Sequence, residues 1–128
     1  MDEKAESVVR KFLESWQEIT PDGHASWFAD DGVFDDVPIG VHTGREAIRD
    51  AAAAYPSTTC EVLRMVSDDG VVVTERIDRF EFGGKPFALR AVGIFEVDDD
   101  GRVALQRDYY DMKGMLEALE AAGVSVSH

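Results

Sequence analysis

Arg76 and Asp78 stand two residues apart in the apolar stretch Val71–Phe82, on the same side of it as Val72, Thr74, Phe80 and Phe82. Strand side chains alternate between faces, so an extended conformation sets a guanidinium and a carboxylate among two phenylalanines and a valine. Burying such charges is costly unless they are paired and hydrogen-bonded. A further carboxylate, Asp108, lies in Val103–Asp111. One face of that stretch holds Ala104, Gln106, Asp108 and Tyr110, the other Val103, Leu105, Arg107 and Tyr109. Periodicity leaves open which face points inward. With Asp108 inward, two carboxylates bracket one guanidinium, and a single proton is held by one carboxylate while the other stays ionised. Such a set deprotonates a water and protonates a leaving oxygen together. The alternative is an ordinary ion pair on a wet face of the sheet.

A third candidate is the pair Asp35-Asp36, just before Val37-Pro38. One of two adjacent strand residues faces inward, unless the pair is simply a polar strand end. His24, His42 and His128 have no ligand spacing, so no metal site is expected. Cys60, on an expected strand, reads as a small core residue rather than a nucleophile. No glycine-rich phosphate loop occurs, Gly83-Gly84 reads as a turn, and no cofactor is expected. Tyr109 and Tyr110 either line a pocket or fill the core.

The elements that position these residues follow from periodicity. Val8, Val9, Phe12, Leu13, Trp16 and Ile19 recur at helical spacing over 3–19, and Pro21-Asp22-Gly23 is expected to stop that helix. A helical turn, His24–Asp30, puts Trp27 and Phe28 inward, and Gly32–Val37 reads as a strand ended by Pro38. Thr43-Gly44-Arg45-Glu46 reads as a capping box opening an Ala-rich helix over 44–55. Thr58–Ser67, Val71–Phe82, Phe87–Val97 and Val103–Asp111 are β-rich and separated by good turn sequences, which predicts an antiparallel meander. A last helix spans about 112–121 with Met115, Leu116 and Leu119. Helices before and after a meander give an α+β fold, with helices on one face of a curved sheet and a cavity between them. The pocket is expected to be lined by Phe34, Val72, Phe80, Leu89, Ala91 and Tyr110, with Arg76 at its floor.

At 128 residues the chain fits one domain, 1–128. Its 45% apolar and 9% aromatic content is that of a globular protein. With 26 acids against 13 bases the net charge of −13 repels phosphates and acidic membrane surfaces, so neither nucleic acid nor membrane is an expected partner. No apolar run approaches the roughly 18 residues of a membrane span, and the acidic start Met1-Asp2-Glu3-Lys4 lacks the pattern of a secretory signal. One cysteine forms no internal disulfide, which fits the cytoplasm.

Thr74-Glu75-Arg76-Ile77-Asp78 and Arg107-Asp108-Tyr109-Tyr110-Asp111 resemble the two signature strands of limonene-1,2-epoxide hydrolase, within the wider SnoaL-like and nuclear-transport-factor-2-like cone fold. The first helix, Phe28-Ala29-Asp30-Asp31, Thr43-Gly44-Arg45-Glu46 and the strand order fit the same superfamily. The resemblance implies that Asp108 activates water, Arg76 bridges and orients the two carboxylates, and Asp78 protonates the epoxide oxygen. It also implies direct attack of water in one step, without covalent ester, metal or cofactor. Two positions depart from the family pattern. A Tyr and an Asn that help hold the water there are Phe34 and Asp36 here. Asp36 accepts a hydrogen bond but, unlike an amide, does not donate one, and it adds negative charge near Asp108.

That carboxylate resembles the general base of ketosteroid isomerase-like and polyether epoxide-opening cyclase members of the superfamily. The oxyanion-stabilising acid of the isomerase has no counterpart, since Gly93 falls about where it should be. Three functions therefore compete: hydrolysis of a small lipophilic epoxide, isomerisation or cyclisation through Asp36, and non-catalytic binding of a small ligand. The family's habit, and the apolar residues Val71, Val73 and Ile77 beside Glu75 and Arg79 on the outer face, lead to the expectation of a homodimer.

Overall fold

The computed structural model describes residues 1–18 and 20–124. Ile19, expected on the apolar side of the first helix, and His128 lie outside the described residues. Helix α1 (Glu3–Ser15) begins where the Asp2 carboxylate accepts from the Ala5 amide, and it buries Val9, Phe12 and Leu13. It ends four residues short of the apolar periodicity. The Pro21-Asp22-Gly23 run opens a helix rather than stopping one. The Thr20 hydroxyl accepts from the Gly23 amide, and Pro21 occupies a first-turn position that needs no N–H, so α2 spans Pro21–Ser26. Strand β1 (Phe28–Asp36) follows at once, with a register irregularity between Phe28 and Val33, where a helical turn to Asp30 was expected.

A short strand β2 (Gly40–Thr43) was not anticipated. It takes Thr43 out of the expected capping box: helix α3 (Arg45–Ala52) is capped by Gly44 at φ 87°, with no side-chain cap bond. The second half follows expectation closely, as β3 (Thr58–Asp68), β4 (Val71–Phe82), β5 (Lys85–Val97), β6 (Val103–Tyr110) and α4 (Met112–Ala121). The β4–β5 hairpin turns on Gly83 and Gly84 at φ 60° and 77°, the positive values a tight two-residue connection needs.

The six strands form one sheet in the order β2-β1-β6-β5-β4-β3. The β3–β6 meander is antiparallel, and β1 adds to β6 in parallel, so the sheet is mixed rather than wholly antiparallel. Register shifts at Val62/Arg64 and Glu96/Val97 are the kind of irregularity that bends strands and curves a sheet. Helix α1 is pinned at its start, where Asp2 accepts from the Gly70 amide in the β3–β4 turn at 2.9 Å. Below it Val9, Phe12, Phe28, Ile48, Val72, Phe95 and Val103 form the core. Further along the same inner face lies a cavity. Among the described residues no helix is long and apolar enough to cross a membrane.

Candidate active site

The cavity has a volume of about 530 Å³, within the range of small-molecule sites. Its charged centre comes from β4 and β6. Alternation on β4 buries Val72, Thr74, Arg76 and Asp78, and on β6 it buries Gln106 and Asp108. Arg76, 1% exposed, donates from Nε to Asp78 Oδ1 at 2.8 Å and from Nη2 to Asp78 Oδ2 at 3.1 Å. On its other side Nη1 and Nη2 donate to Asp108 Oδ1 and Oδ2 at 3.2 and 2.8 Å. Burial works against the guanidinium's charge, but Asp108 and Asp78 outweigh it and hold its proton more firmly than usual. The guanidinium carbon also lies 5.1 Å from the Trp16 ring centroid, a cation–π approach.

Two neighbours complete this clamp. Gln106 Nε2 donates to Asp108 Oδ2 at 3.0 Å, giving Asp108 three donors against two on Asp78. Gly93 on β5 pairs with Thr74 on one side and Asp108 on the other. A Cβ there would lie 2.5 Å from Arg76 Nη1 and 3.0 Å from Asp108 Oδ1, so the missing side chain makes room for the ion pairs.

The second centre is Asp36, which the parallel β1–β6 register sets directly beside Asp108. It is 2% exposed and accepts from the Tyr55 hydroxyl at 2.5 Å and the Tyr110 hydroxyl at 2.7 Å. Burial pushes the Asp36 carboxyl above its ordinary range. The two phenols and His42 pull it down, and Asp108 pushes it further up. Both phenols are raised, by burial first and then by Asp36. Its neighbour Asp35 points the other way and accepts from Arg107 Nε at 2.8 Å. His24 also lines the cavity, against Phe12 and Phe28, and burial lowers it to about 4 in spite of Asp108.

Of the expected lining residues, Phe34, Phe80, Leu89 and Tyr110 border the cavity. Val72 and Ala91 do not. Val72 is packed into the core with Val9 and Phe12 of α1. Ala91 is a buried methyl between Arg76 and Tyr110 in the sheet. Tyr109 faces outward, 45% exposed. Cys60 packs at the edge of the core with its thiol pushed up by burial, which disfavours a thiolate. Tyr55, Gln106, His24 and Trp16 were not singled out from sequence. Gln106 shares the period-two face of Asp108 and was within reach of that argument. Tyr55 sits in the α3–β3 connection, where no periodicity reports direction.

Residues 3–121 match the family described as limonene-1,2-epoxide hydrolase catalytic domain. Epoxide hydrolase EphG of Mycobacterium tuberculosis is 40% identical over 65 residues, which is 48% of this chain and 43% of that relative, so the match spans less than half its length. A solved M. tuberculosis LEH-like epoxide hydrolase is similar with a TM-score of 0.77 and 29% identity, over 94% of this chain and 95% of that one. The epoxide hydrolase/cyclase-like enzyme SalBIII, described for pyran ring formation in the polyether salinomycin, has a TM-score of 0.76 at 17% identity, over 86% and 92% of the two chains. That last likeness is one of fold alone. The curved sheet with helices on one face is the nuclear-transport-factor-2-like arrangement.

Proposed function

The chain belongs to the limonene-1,2-epoxide hydrolase family, and on that premise we propose that it is a cofactor-independent hydrolase of a small lipophilic epoxide. The observation that carries this reading is the buried guanidinium bonded to two carboxylates at one cavity wall. Asp108, with three donors, is the better placed to remain anionic and accept a proton from water. Asp78, with two, carries the shared proton and gives it to the epoxide oxygen as the ring C–O bond breaks and the water oxygen bonds to carbon. Arg76 keeps the pair in register and stays charged throughout. Exchange with solvent through the cavity mouth then returns the proton from Asp108 to Asp78. The lining residues Phe34, Phe80, Leu89 and Leu119 favour an apolar substrate. Both acid and base are protein carboxylates, which is the support for a reaction without metal or cofactor.

A panel of terpene, styrene and cycloalkene oxides tests the activity. A single turnover in ¹⁸O-water tests the mechanism. Direct attack labels the diol on the first turnover; an unlabelled first diol means an enzyme oxygen was transferred and ends the one-step reading.

A second reading has one observation in its favour, the carboxylate of Asp36 in the cavity. As the general base of an isomerase or cyclase, its replacement in Asp36→Asn lowers the rate about 10²–10⁴-fold. Under hydrolysis the amide still accepts from water, and the rate stays within about 10-fold of the parent. The support for a homodimer is the apolar outer face, where Val66, Val71 and Val92 are exposed; sedimentation at micromolar protein tests it. The single free cysteine fits a reducing cytoplasm.

A further inference from the structure

Asp36 differs from every other buried carboxylate described in this cavity in having no cationic partner. Asp78 and Asp108 share Arg76, whereas Asp36 is met only by two phenol hydroxyls, from Tyr55 after α3 and from Tyr110 on β6. Two separate elements converge on its two oxygens, one hydroxyl each. A carboxylate oxygen has two acceptor sites, so each keeps one to spare. The parallel register puts that spare capacity on the strand next to Asp108. Phe34, two residues earlier on the same strand face, brings a ring without a hydroxyl to the cavity, and the Tyr55 ring packs 6.3 Å from it.

Resting on the hydrolytic reading, we infer that Tyr55 and Tyr110 are positioning residues that clamp Asp36, so that it holds the attacking water for Asp108. The water offers one hydrogen to Asp108 and the other to Asp36. The first is transferred as the new C–O bond forms; the second stays on oxygen and ends in the diol. Asp36 holds the water without taking its proton, and the phenols fix its oxygens while supplying donors that favour its charged form. Asp108 on β6 and His42 on β2 are the other titratable groups acting on it, the first opposing and the second supporting that charge. Tyr55 is 42% exposed and lies outside the buried core, so its replacement by phenylalanine keeps the ring beside Phe34 and leaves the core untouched.

The test titrates Asp36 directly by carboxyl ¹³C NMR of aspartate-labelled protein, assigned with Asp36→Asn, in the parent, Tyr55→Phe, Tyr110→Phe and the double variant. Each lost phenol removes a donor to the charged form, so the Asp36 titration moves to higher pH, furthest in the double variant. On an epoxide substrate, kcat at neutral pH falls about 3-fold per phenol with KM little changed, and the acid limb of the pH profile moves up with the titration. In an Asp36→Asn background the tyrosine substitutions no longer move the acid limb. An Asp36 titration that stays put in both single variants overturns the clamp. A titration that moves while the acid limb does not overturns the positioning role. Should the parent open no epoxide, the hydrolytic reading fails, and the NMR titration alone decides whether the phenols clamp Asp36.

Discussion

Two groups of acids share one cavity, and their neighbours treat them differently. Across β4 and β6, Asp78 and Asp108 share one guanidinium, which makes four hydrogen bonds to them. On the β1 side, Asp36 has only neutral phenols. A cation fixes total charge and lets one proton be shared without exposing either carboxylate. Phenols supply direction and partial compensation but leave the charge in place, which is why burial still raises Asp36. The first arrangement suits groups that exchange protons in the reaction, the second a group that orients without exchanging.

Removing the cation breaks that contrast most completely. Arg76→Ala leaves two buried carboxylates facing each other; activity on an epoxide falls by about 10³-fold or more, and stability by about 3–5 kcal/mol in denaturant titration. A variant that keeps both would mean that the clamp is neither structural nor functional. Gly93→Ala is the next largest change. The guanidinium end is flexible in principle, but four bonds at 1% exposure give it nowhere to move. The expected result is a loss of about 10²-fold in kcat and about 1–3 kcal/mol in stability, with the sheet intact by circular dichroism. Normal kinetics in this variant would show that the ion pairs tolerate displacement.

The smallest effect on activity sharpens the comparison through pH. His24 titrates near 4 in the native protein against an ordinary 6.5, because burial disfavours its charge. Between those values the unfolded chain binds the extra proton, so stability falls as pH drops through 6.5 toward 4, by about 3 kcal/mol at most. Asp36 has the opposite sign. Its raised native value makes stability fall as pH rises from 3.8 through that value. His24→Gln therefore flattens the acid loss of Tm between pH 6.5 and 4.5, and Asp36→Asn steepens the loss over the range between 3.8 and the raised value of Asp36. The same acid slope in parent and His24→Gln would remove His24 from this account.

The sequence reveals most where alternation runs long. Strand β4 spans Val71–Phe82 as the pattern predicts, and its period of two placed Arg76 and Asp78 on the inner face. The same pattern reports a face but not depth along it: Val72 shares that face and lies under α1, while Phe80, eight residues on, borders the cavity. Short elements were read less well because single local bonds decide them. Thr20 turned an apparent stop at Pro21 into a start, and β2, four residues long, took Thr43 from the helix cap. Alternation alone left Asp35 and Asp36 as equals and the resemblance favoured Asp36; the parallel pairing with β6 then sets Asp36 beside Asp108 and Asp35 beside Arg107. The role of Tyr55 depends on where a connecting segment comes to rest, and nothing in its local pattern encodes that.

Gly93 constrains how this site is able to evolve. The space that any side chain at residue 93 would need is filled here by the end of Arg76. The two side chains exclude each other. A lineage moving from the clamp to an acid at residue 93 has to give up the guanidinium before or together with gaining the new group. The intermediate with neither is left with two unneutralised carboxylates, and the intermediate with both is overpacked. At residue 36, by contrast, an amide and a carboxylate are nearly the same size and one base change apart. Drift between chemistries is therefore easy along β1 and blocked along β5.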